Sequence, residues 1–291
     1  MKRLSTFWWI IPFFVSLGGV QDSEYHIWSD PLEHEFVSLI SRNDLGRQIY
    51  QEIVSRLREN NVPAEFVYHT FSHPEIRIER EVINRLLHPV ENLPLDQYRN
   101  LYVTDERITM GVEFYQKRKD LIGAVADSFG VDPFLLLSIV GIESKYGTNS
   151  RQFPVFNALH TIIHTFPKKE KWVEEEMIEY LEFCYENFVP PHTIHGSYAG
   201  AFGYGQFISS SFNRFSVDFN GDGVRHPFDW PDVLASIANY LVRHGYKKGS
   251  TDFSESSRNW RAILSYNPSA RYASAVVELR GKLISALNEQ H

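Results

Sequence analysis

One glutamate lies near the end of a strongly apolar stretch and is the first residue that suggests chemistry. It belongs to the run Gly141-Ile-Glu-Ser-Lys-Tyr-Gly147, and a helical register puts Leu136 and Ile139 on the same face as Glu143. Because desolvation disfavours the charged form of a carboxyl group, Glu143 is expected to hold its proton near neutral pH. A protonated carboxyl group can act as a general acid. The alternative is a structural glutamate, paired with Lys145 or with a distant arginine.

A second unusual stretch is rich in glycine. The segment Gly196-Ser-Tyr-Ala-Gly-Ala-Phe-Gly-Tyr-Gly-Gln-Phe207 alternates glycine with small and aromatic residues. Glycine permits close backbone approach and positive φ, and Gln206 adds a neutral side chain with donor and acceptor atoms. The segment therefore predicts the wall of a groove for a polar, uncharged chain, with a tight connection between helices as the alternative. It is not a phosphate loop, because the Lys-Ser/Thr ending is absent.

A short acidic loop suggests a bound cation. In Asp218-Phe-Asn-Gly-Asp-Gly223, oxygen-bearing side chains at positions one, three and five precede a glycine at six, as in an EF-hand calcium loop. The predicted side-chain ligands are Asp218, Asn220 and Asp222. The carbonyl of Val224 falls at position seven, and the closing carboxylate is either Asp229 at position twelve or Asp232 in a longer loop. An Asx-rich turn without metal is the alternative.

Composition limits the classes of function. The chain has 291 residues, of which 43% are hydrophobic, and its formal net charge is −7. A hydrophobic content of this size supports a globular core, and the negative balance argues against a nucleic-acid partner bound by charge. Cys184 is the only cysteine, so an intrachain disulfide is impossible; a small buried apolar side chain is its expected role. Nothing in the sequence calls for an organic cofactor.

The first twenty residues have the pattern of a secretory signal peptide. Lys2 and Arg3 precede an apolar run from Phe7 to Val15, and small residues follow. Pro12 interrupts a run that is already short for a membrane span. We therefore expect an exported protein, with an uncleaved N-terminal anchor as the alternative. A lipid anchor is not expected at this segment, because no cysteine lies near its end.

Hydrophobic spacing predicts a mainly α-helical chain, and convincing strand alternation is scarce. Asp132 and Pro133 suit the N-cap and first position of a helix that carries Glu143 and stops by Gly147. Prolines 63, 74, 89 and 94 indicate short helices and turns between them. The other predicted helices span Glu33–Glu59, Asp105 or Glu106 to Phe129, Lys168–Phe188, Asp232–His244 with Gly245 as its stop, and Ala273–Leu287.

Taken together, these segments resemble the lytic transglycosylase B family of bacterial peptidoglycan-cleaving enzymes. The resemblance covers about residues 98–287, with a weaker match back to about residue 46. Five runs carry it: Val140-Gly-Ile-Glu-Ser-Lys-Tyr-Gly147, Phe156-Asn-Ala-Leu159, the glycine-rich segment, Val217-Asp-Phe-Asn-Gly-Asp-Gly223 and Tyr266-Asn-Pro-Ser269.

The resemblance implies a lysozyme-like, mainly helical (α+β) catalytic core and a periplasmic location. It also implies cleavage of the β-1,4 bond between N-acetylmuramic acid and N-acetylglucosamine in peptidoglycan strands. One glutamate, matched by Glu143, would protonate the leaving oxygen and then act as base on the muramyl C6 hydroxyl, which closes a 1,6-anhydro ring. Most retaining glycosidases use a second carboxylate, and none stands out in the matched motifs. Expected divisions are a signal peptide at 1–20, a helical accessory region at 21–115 and the catalytic domain at 116–291, with the calcium loop at 218–232.

The resemblance further implies residues that contact the glycan or the ion. Ser197 and Gln206 match positions near the cut, and Asp232 is favoured over Asp229 as the closing calcium ligand. A pair of arginines in some relatives corresponds to Lys168 and Lys169, which lack the planar fork that grips carboxylates; recognition of the peptide stem or lactyl group is therefore expected to differ. The remaining implied substrate contacts are Phe207, Tyr240, Asn267 and Tyr272.

Three rival functions remain at this point. A hydrolytic muramidase would use the same acid with an activated water, and its product would be heavier than the anhydro sugar by one water. A non-catalytic peptidoglycan-binding scaffold would also contain the matched groove. A calcium sensor is the third alternative, although one loop within a large domain is more typical of a structural ion.

Overall fold

The computed structural model describes residues 48–89, 93–149 and 152–289 of the chain. The segment predicted as a signal peptide and the first part of the helix predicted over Glu33–Glu59 lie outside these residues. Within the described ranges the protein is mainly α-helical, with one small antiparallel sheet. The predicted fold class is thus confirmed at the level of secondary structure.

Four helices form the N-terminal part of the described chain. Pro63 and Pro94 each occupy the N-cap of a short helix, and the tight spacing of prolines explains why helices here remain short. The helices are α1 Gln48–Glu59, α2 Ala64–Phe71, α3 Arg80–Leu87 and α4 Leu95–Tyr102.

Two helices, which meet at a sharp bend, determine the position of Glu143. Helix α5, Asp105–Phe129, begins where the Thr104 side chain accepts the Arg107 N–H, and it ends at Gly130 with φ +67°. Helix α6, Pro133–Ser144, begins as predicted, with Asp132 as N-cap and proline at its first position. The predicted domain boundary after residue 115 falls inside α5, shortly before a kink with non-helical backbone at Arg118. The division into domains stays a prediction.

The C-terminal part contains the remaining elements. The helices predicted over Lys168–Phe188, Asp232–His244 and Ala273–Leu287 are confirmed and differ only at their ends. Strands β1 and β2 pair in antiparallel fashion, with Phe153 opposite Gly196. In chain order the elements are β1 Phe153–Pro154, α7 Val155–Thr165, a 3₁₀ turn Pro167–Lys169, α8 Glu170–Glu186, β2 His195–Gly196, α9 Ser209–Phe215, α10 Trp230–Arg243, α11 Arg258–Tyr266 and α12 Ala270–Asn288.

The core is built around α6, whose residues Leu135–Ile142 are all buried. Helices α5, α10 and α12 pack against it, while α8 packs against α1, α7 and α9. A helix that is apolar on every side must be surrounded by protein, and this burial holds the end of α6 firmly in place. No single described helix is long and apolar enough to cross a membrane; α5 and α6 pass that test only as a pair bent by 114°.

Candidate active site

Glu143 lies in the last turn of α6 and is half-buried between two buried neighbours. Directly after the helix, Lys145 and Tyr146 have φ values of +48° and +56°, which fold the chain back on itself. The Tyr146 ring then lies against Gly111 and Gly141, where a Cβ atom would come within 2.3 Å and 2.6 Å of its hydroxyl oxygen. The buried ring and the two glycines therefore fix the helix end that carries Glu143.

The carboxyl group of Glu143 has a tyrosine donor. The Tyr272 hydroxyl, on α12, donates a hydrogen bond to Glu143 Oε1 at 2.6 Å. Tyr272 is 1% exposed, and burial, followed by the charge of Glu143, raises the pKa of this phenol well above its ordinary value. The phenol therefore keeps its proton at any physiological pH and remains a donor to Glu143.

A second buried tyrosine joins α11 to the glycine-rich segment. The Tyr266 hydroxyl donates a hydrogen bond to the carbonyl of Gly205 at 2.5 Å. Burial, followed by the charge of Glu143, raises the pKa of Tyr266 well above its ordinary value, so this group also stays protonated. Sequence reasoning missed this role, although Tyr266 belongs to one of the quoted motifs. The bond fixes the backbone next to Gln206.

The glycine-rich segment folds into two successive tight turns. The Ser197 hydroxyl oxygen accepts the N–H groups of Ala199 and Ala201, and Phe202 and Phe207 exchange two backbone hydrogen bonds. Gln206, within the second of these turns, has φ +50°, a conformation that costs a non-glycine residue of order 1–3 kcal/mol. Its side-chain amide donates to the Gly203 carbonyl at 2.8 Å. The backbone strain therefore lies at Gln206 itself, a residue that is predicted to contact substrate.

Glu143, Ser197 and Gln206 line one cavity of about 290 Å³. The structure therefore brings together three residues that the sequence placed far apart. Arg85 of α3 and Tyr198 also line this cavity, and sequence reasoning missed both as site residues. Tyr198 lies within the glycine-rich motif, whereas no sequence signal marked Arg85, whose Nε donates to Glu81 at 2.8 Å.

Other predicted substrate contacts occupy different environments. Phe207 and Tyr240 are 5% and 8% exposed, and their ring centroids are 5.9 Å apart. Asn267 follows α11 and accepts the Ser269 N–H with its side-chain oxygen. Lys168 and Lys169 lie in the 3₁₀ turn after α7 and are not among the residues that line the Glu143 cavity; the Lys169 ammonium lies 5.3 Å from the centroid of the Trp172 ring.

The acidic loop is ordered by its own side chains. Asp218 accepts the backbone N–H groups of Gly221, Asp222 and Gly223. Asp232, 1% exposed at the start of α10, accepts those of Phe219 and His226. These bonds tie both arms of the loop to carboxylates.

Two further contacts of this loop bear on cation binding. The Asn220 amide lies 3.0 Å from a carboxylate oxygen of Asp222 and 3.0 Å from one of Asp229. Two carboxylates thus face one donor, a charge arrangement that also suits a hard cation. Among the described residues, no three Asp, Glu, His or Cys side chains converge as a ready-made metal site.

The combined geometry suits proton transfer to a polar, uncharged ligand. A half-buried carboxyl group with a tyrosine donor lies at a cavity whose walls also carry the Ser197 hydroxyl and the Gln206 amide. In such a site the low local dielectric strengthens hydrogen bonds to a neutral ligand. Acid and base chemistry on a carbohydrate meets these requirements.

The chain is similar to known proteins in both sequence and fold. The family model described as "Transglycosylase SLT domain" matches residues 46–258. Membrane-bound lytic murein transglycosylase B of Escherichia coli (strain K12) is 32% identical over 153 residues, which are 53% of this chain and 42% of that protein. The chain therefore matches less than half the length of this curated relative.

Solved structures share the fold over a larger part of the chain. Soluble lytic transglycosylase SltB1 from Pseudomonas aeruginosa superposes with a TM-score of 0.74 at 26% identity, covering 83% of this chain and all of that one. The Escherichia coli lytic transglycosylase Slt35, solved in complex with calcium, gives a TM-score of 0.74 at 22% identity and covers 83% and 94% of the two chains. The predicted lysozyme-like, mainly helical core is confirmed.

Proposed function

The chain belongs to the transglycosylase SLT domain family, and we propose on that basis that it is a lytic transglycosylase of peptidoglycan. The observation that carries the proposal is the position of Glu143: half-buried at the end of an apolar helix, hydrogen-bonded by Tyr272 and lining a cavity with Ser197 and Gln206. A carboxyl group in this setting can hold a proton and return it after donation. The bond cleaved is the β-1,4 bond between N-acetylmuramic acid and N-acetylglucosamine.

The reaction needs one carboxyl group and proceeds in two steps. Protonated Glu143 gives its proton to the glycosidic oxygen as the bond from the muramyl C1 atom to that oxygen breaks. The carboxylate then takes the proton of the muramyl C6 hydroxyl, whose oxygen bonds to C1 and closes the 1,6-anhydro ring. Glu143 ends protonated, as it began, and no water is consumed.

The neutral lining of the cavity supports a polysaccharide ligand. Ser197 and Gln206 offer a hydroxyl and an amide to sugar hydroxyl and acetamido groups, and Tyr198 offers a ring face. The low exposure of Phe207 and Tyr240 supports a role in holding the wall of the groove. Asn267, Lys168 and Lys169 complete the proposed substrate contacts.

We further propose that the acidic loop binds Ca²⁺ as a structural ion. Side-chain oxygens of Asp218, Asn220 and Asp222, the carbonyl of Val224 and the carboxylate of Asp232 are the proposed ligands. The burial of Asp232 against both arms of the loop supports it as the closing ligand, and Asp229, which faces Asn220, is the alternative. The solved structure of Slt35 in complex with calcium is consistent with this proposal.

The enzyme would act in the periplasm, because its proposed substrate lies there. Residues 1–20 are the proposed signal peptide. Mass spectrometry of the protein recovered from the periplasmic fraction tests this directly. A mature chain that starts near residue 21 supports cleavage, whereas a full-length chain in the membrane fraction supports an uncleaved anchor.

The test of the function compares wild type with Glu143→Gln on purified peptidoglycan. The amide keeps the shape of the side chain and removes the transferable proton. We expect anhydro-muropeptides from wild type and a loss of at least about a thousandfold in the variant, because one group serves both steps. Glu113→Gln, an exposed change on α5, is the matched control and should keep full activity. Equal turnover by Glu143→Gln and wild type would reject the assignment.

A further inference from the structure

One arginine enters the Glu143 cavity from the N-terminal helices. Arg85 of α3 lines this cavity, and among the described residues of the lining it is the only basic side chain, as Glu143 is the only acidic one. The other polar groups of the wall are neutral hydroxyls and amides, from Ser144, Asn149, Gln152, Ser197, Tyr198 and Gln206. A glycan at Glu143 therefore meets one fixed positive charge in an otherwise neutral site.

Helix α3 is anchored to the core at its N-terminal end. Glu79, its N-cap residue, donates its backbone N–H to the Thr161 hydroxyl of α7 at 2.9 Å. The Asn157 amide, also on α7, donates to the Glu75 carbonyl at 3.0 Å, and both side chains of α7 are buried. Because buried hydrogen bonds fix the start of α3 against α7, Arg85 is presented to the cavity by a wall that is held in place.

The Arg85 guanidinium is oriented by one neighbour and keeps donors for a ligand. Its Nε donates to Glu81 Oε1 at 2.8 Å, one turn earlier on α3. The two side chains are 40% and 50% exposed, so water weakens this pairing, and Glu81 does not line the cavity. The bond uses one of the five guanidinium N–H groups. The positive charge and the N–H groups of both Nη atoms can therefore act on a ligand.

A guanidinium group distinguishes two forms of an amino sugar. An acetamido group is neutral, and its carbonyl oxygen accepts hydrogen bonds from N–H donors. A sugar without its acetyl group carries an amine, which when protonated offers no acceptor and is repelled by a like charge. The cavity has about 290 Å³, which is small for a ligand site, so Arg85 and Glu143 meet the same few atoms of a glycan strand.

We propose that Arg85 is a specificity-determining residue, which restricts the Glu143 cavity to N-acetylated glycan and excludes sugars that carry a protonated amine. Its N–H groups would donate to an acetamido carbonyl, and its charge would repel an ammonium group in the same place. The inference rests on the proposed function, because it defines which form of the glycan that site accepts. It gives the N-terminal helices a part in the choice of substrate.

The first test measures binding to the inactive Glu143→Gln protein. The ligands are oligomers of N-acetylglucosamine and of glucosamine of equal length, at mildly acidic pH, where the free amines are protonated. Neither ligand has a lactyl group or a peptide, so only the acetyl groups differ. We expect the N-acetylated oligomer to bind at least about tenfold more tightly. Added Arg85→Gln should remove most of this preference, whereas Arg85→Lys should still reject glucosamine, because it keeps the charge.

The matched control is Arg80→Gln, which removes an exposed positive charge from the first turn of the same helix and should leave the preference unchanged. Equal affinity for the two oligomers, including no binding of either, would overturn the proposal, as would an unchanged preference after Arg85→Gln. The binding preference does not depend on which product the enzyme forms. It can therefore support the selectivity when the anhydro reaction fails, and reject it when that reaction is confirmed.

Kinetics on peptidoglycan strands provides the second test. Each enzyme receives intact strands, the same strands after a deacetylase has exposed glucosamine amines, and the treated strands after chemical re-acetylation. The ratio of kcat/KM on intact and deacetylated strands cancels the fraction of folded enzyme, so it remains valid for a variant that folds poorly. We expect this ratio to fall about tenfold in Arg85→Gln and further in Arg85→Glu, and re-acetylation to restore wild-type turnover. The same ratio in wild type and Arg85→Gln would overturn the proposal.

Discussion

The hydroxyl of Tyr272 donates a hydrogen bond to Glu143 Oε1 at 2.6 Å across 129 positions of sequence. The bond connects α12 to the end of α6, two helices that also pack against each other. A hydrogen bond to the ionised form of a carboxyl group stabilises that form, whereas partial burial disfavours it. Tyr272 therefore orients the carboxyl group of the proposed acid.

Replacing Tyr272 with phenylalanine should lower kcat about 10- to 100-fold, because a hydrogen bond to a charged group contributes about 1.5–3 kcal/mol. Tyr180→Phe is the matched control: this buried hydroxyl donates to the Pro191 carbonyl at 2.6 Å, away from Glu143. Steady-state kinetics tests the prediction, and equal effects of the two variants on kcat would contradict it.

Two substitutions of Gln206 should separate stability from activity. Gln206→Gly removes the side chain and also relieves a backbone with φ +50°, whereas Gln206→Ala keeps the strain. Because left-handed backbone costs a residue with a Cβ about 1–2 kcal/mol relative to glycine, the alanine variant should unfold at lower denaturant than the glycine variant. Both should lose most activity. An alanine variant at least as stable as the glycine variant would argue against strain at this position.

A buried histidine should make the protein sensitive to acid. The Tyr50 hydroxyl lies 2.6 Å from His160 Nδ1, which joins α1 to α7. Burial, followed by the charges of His164 and His192, lowers the pKa of His160 to about 3. Its unfolded-state value is near 6.5, so the unfolded chain binds more protons between these values. The contribution of His160 is complete above pH 6.5 and is lost progressively as the pH falls toward 3.

Denaturant unfolding between pH 7.5 and pH 5 measures this effect. Wild type should lose free energy of unfolding on acidification, and His160→Gln should lose less, although it starts from a lower value at pH 7.5. Parallel curves for wild type and His160→Gln would show that this group does not titrate on unfolding.

Calcium should raise the melting temperature if the acidic loop binds it. A ligand that binds only the folded state stabilises by mass action, by about 2.7 kcal/mol at one hundred times its dissociation constant. Asp218→Asn and Asp232→Asn should abolish the shift at millimolar calcium, whereas Asp127→Asn, an exposed change on α5, should preserve it. Loss of the shift in Asp229→Asn but not in Asp232→Asn would reassign the closing ligand. If millimolar calcium does not raise the melting temperature of wild type, the proposal that the acidic loop binds calcium is rejected.

Local signals in the sequence predict most of the helices but few of the contacts between them. Asp132 and Pro133 mark the start of α6 because capping chemistry acts over a few residues. The bond between Tyr272 and Glu143 and the entry of Arg85 into the same cavity depend on how distant helices pack. Hydrophobic periodicity does not encode that packing. The resemblance to a family supplied Glu143, Ser197 and Gln206 as one site, and the structure places those three together.

Cavities formed by distant segments illustrate the same limit. His195 and Arg225 belong to separate segments of the sequence, and only the fold of β2 and of the loop before α10 places both at one cavity of about 670 Å³. The sequence likewise does not show the burial of Phe207 and Tyr240, for which the resemblance implies contact with substrate. An aromatic residue near a glycine-rich turn can line a site or support it, and packing decides between the two.

The central claim is that Glu143 returns a proton while the muramyl sugar closes on its own C6 oxygen. Digestion of peptidoglycan in heavy-oxygen water, followed by mass spectrometry of the released sugars, tests it most directly. The account predicts anhydro-muramyl products that are lighter than hydrolysed ones by one water and carry no heavy oxygen. Products with a reducing end that has taken up the heavy label would show that water attacks C1, and would contradict the account.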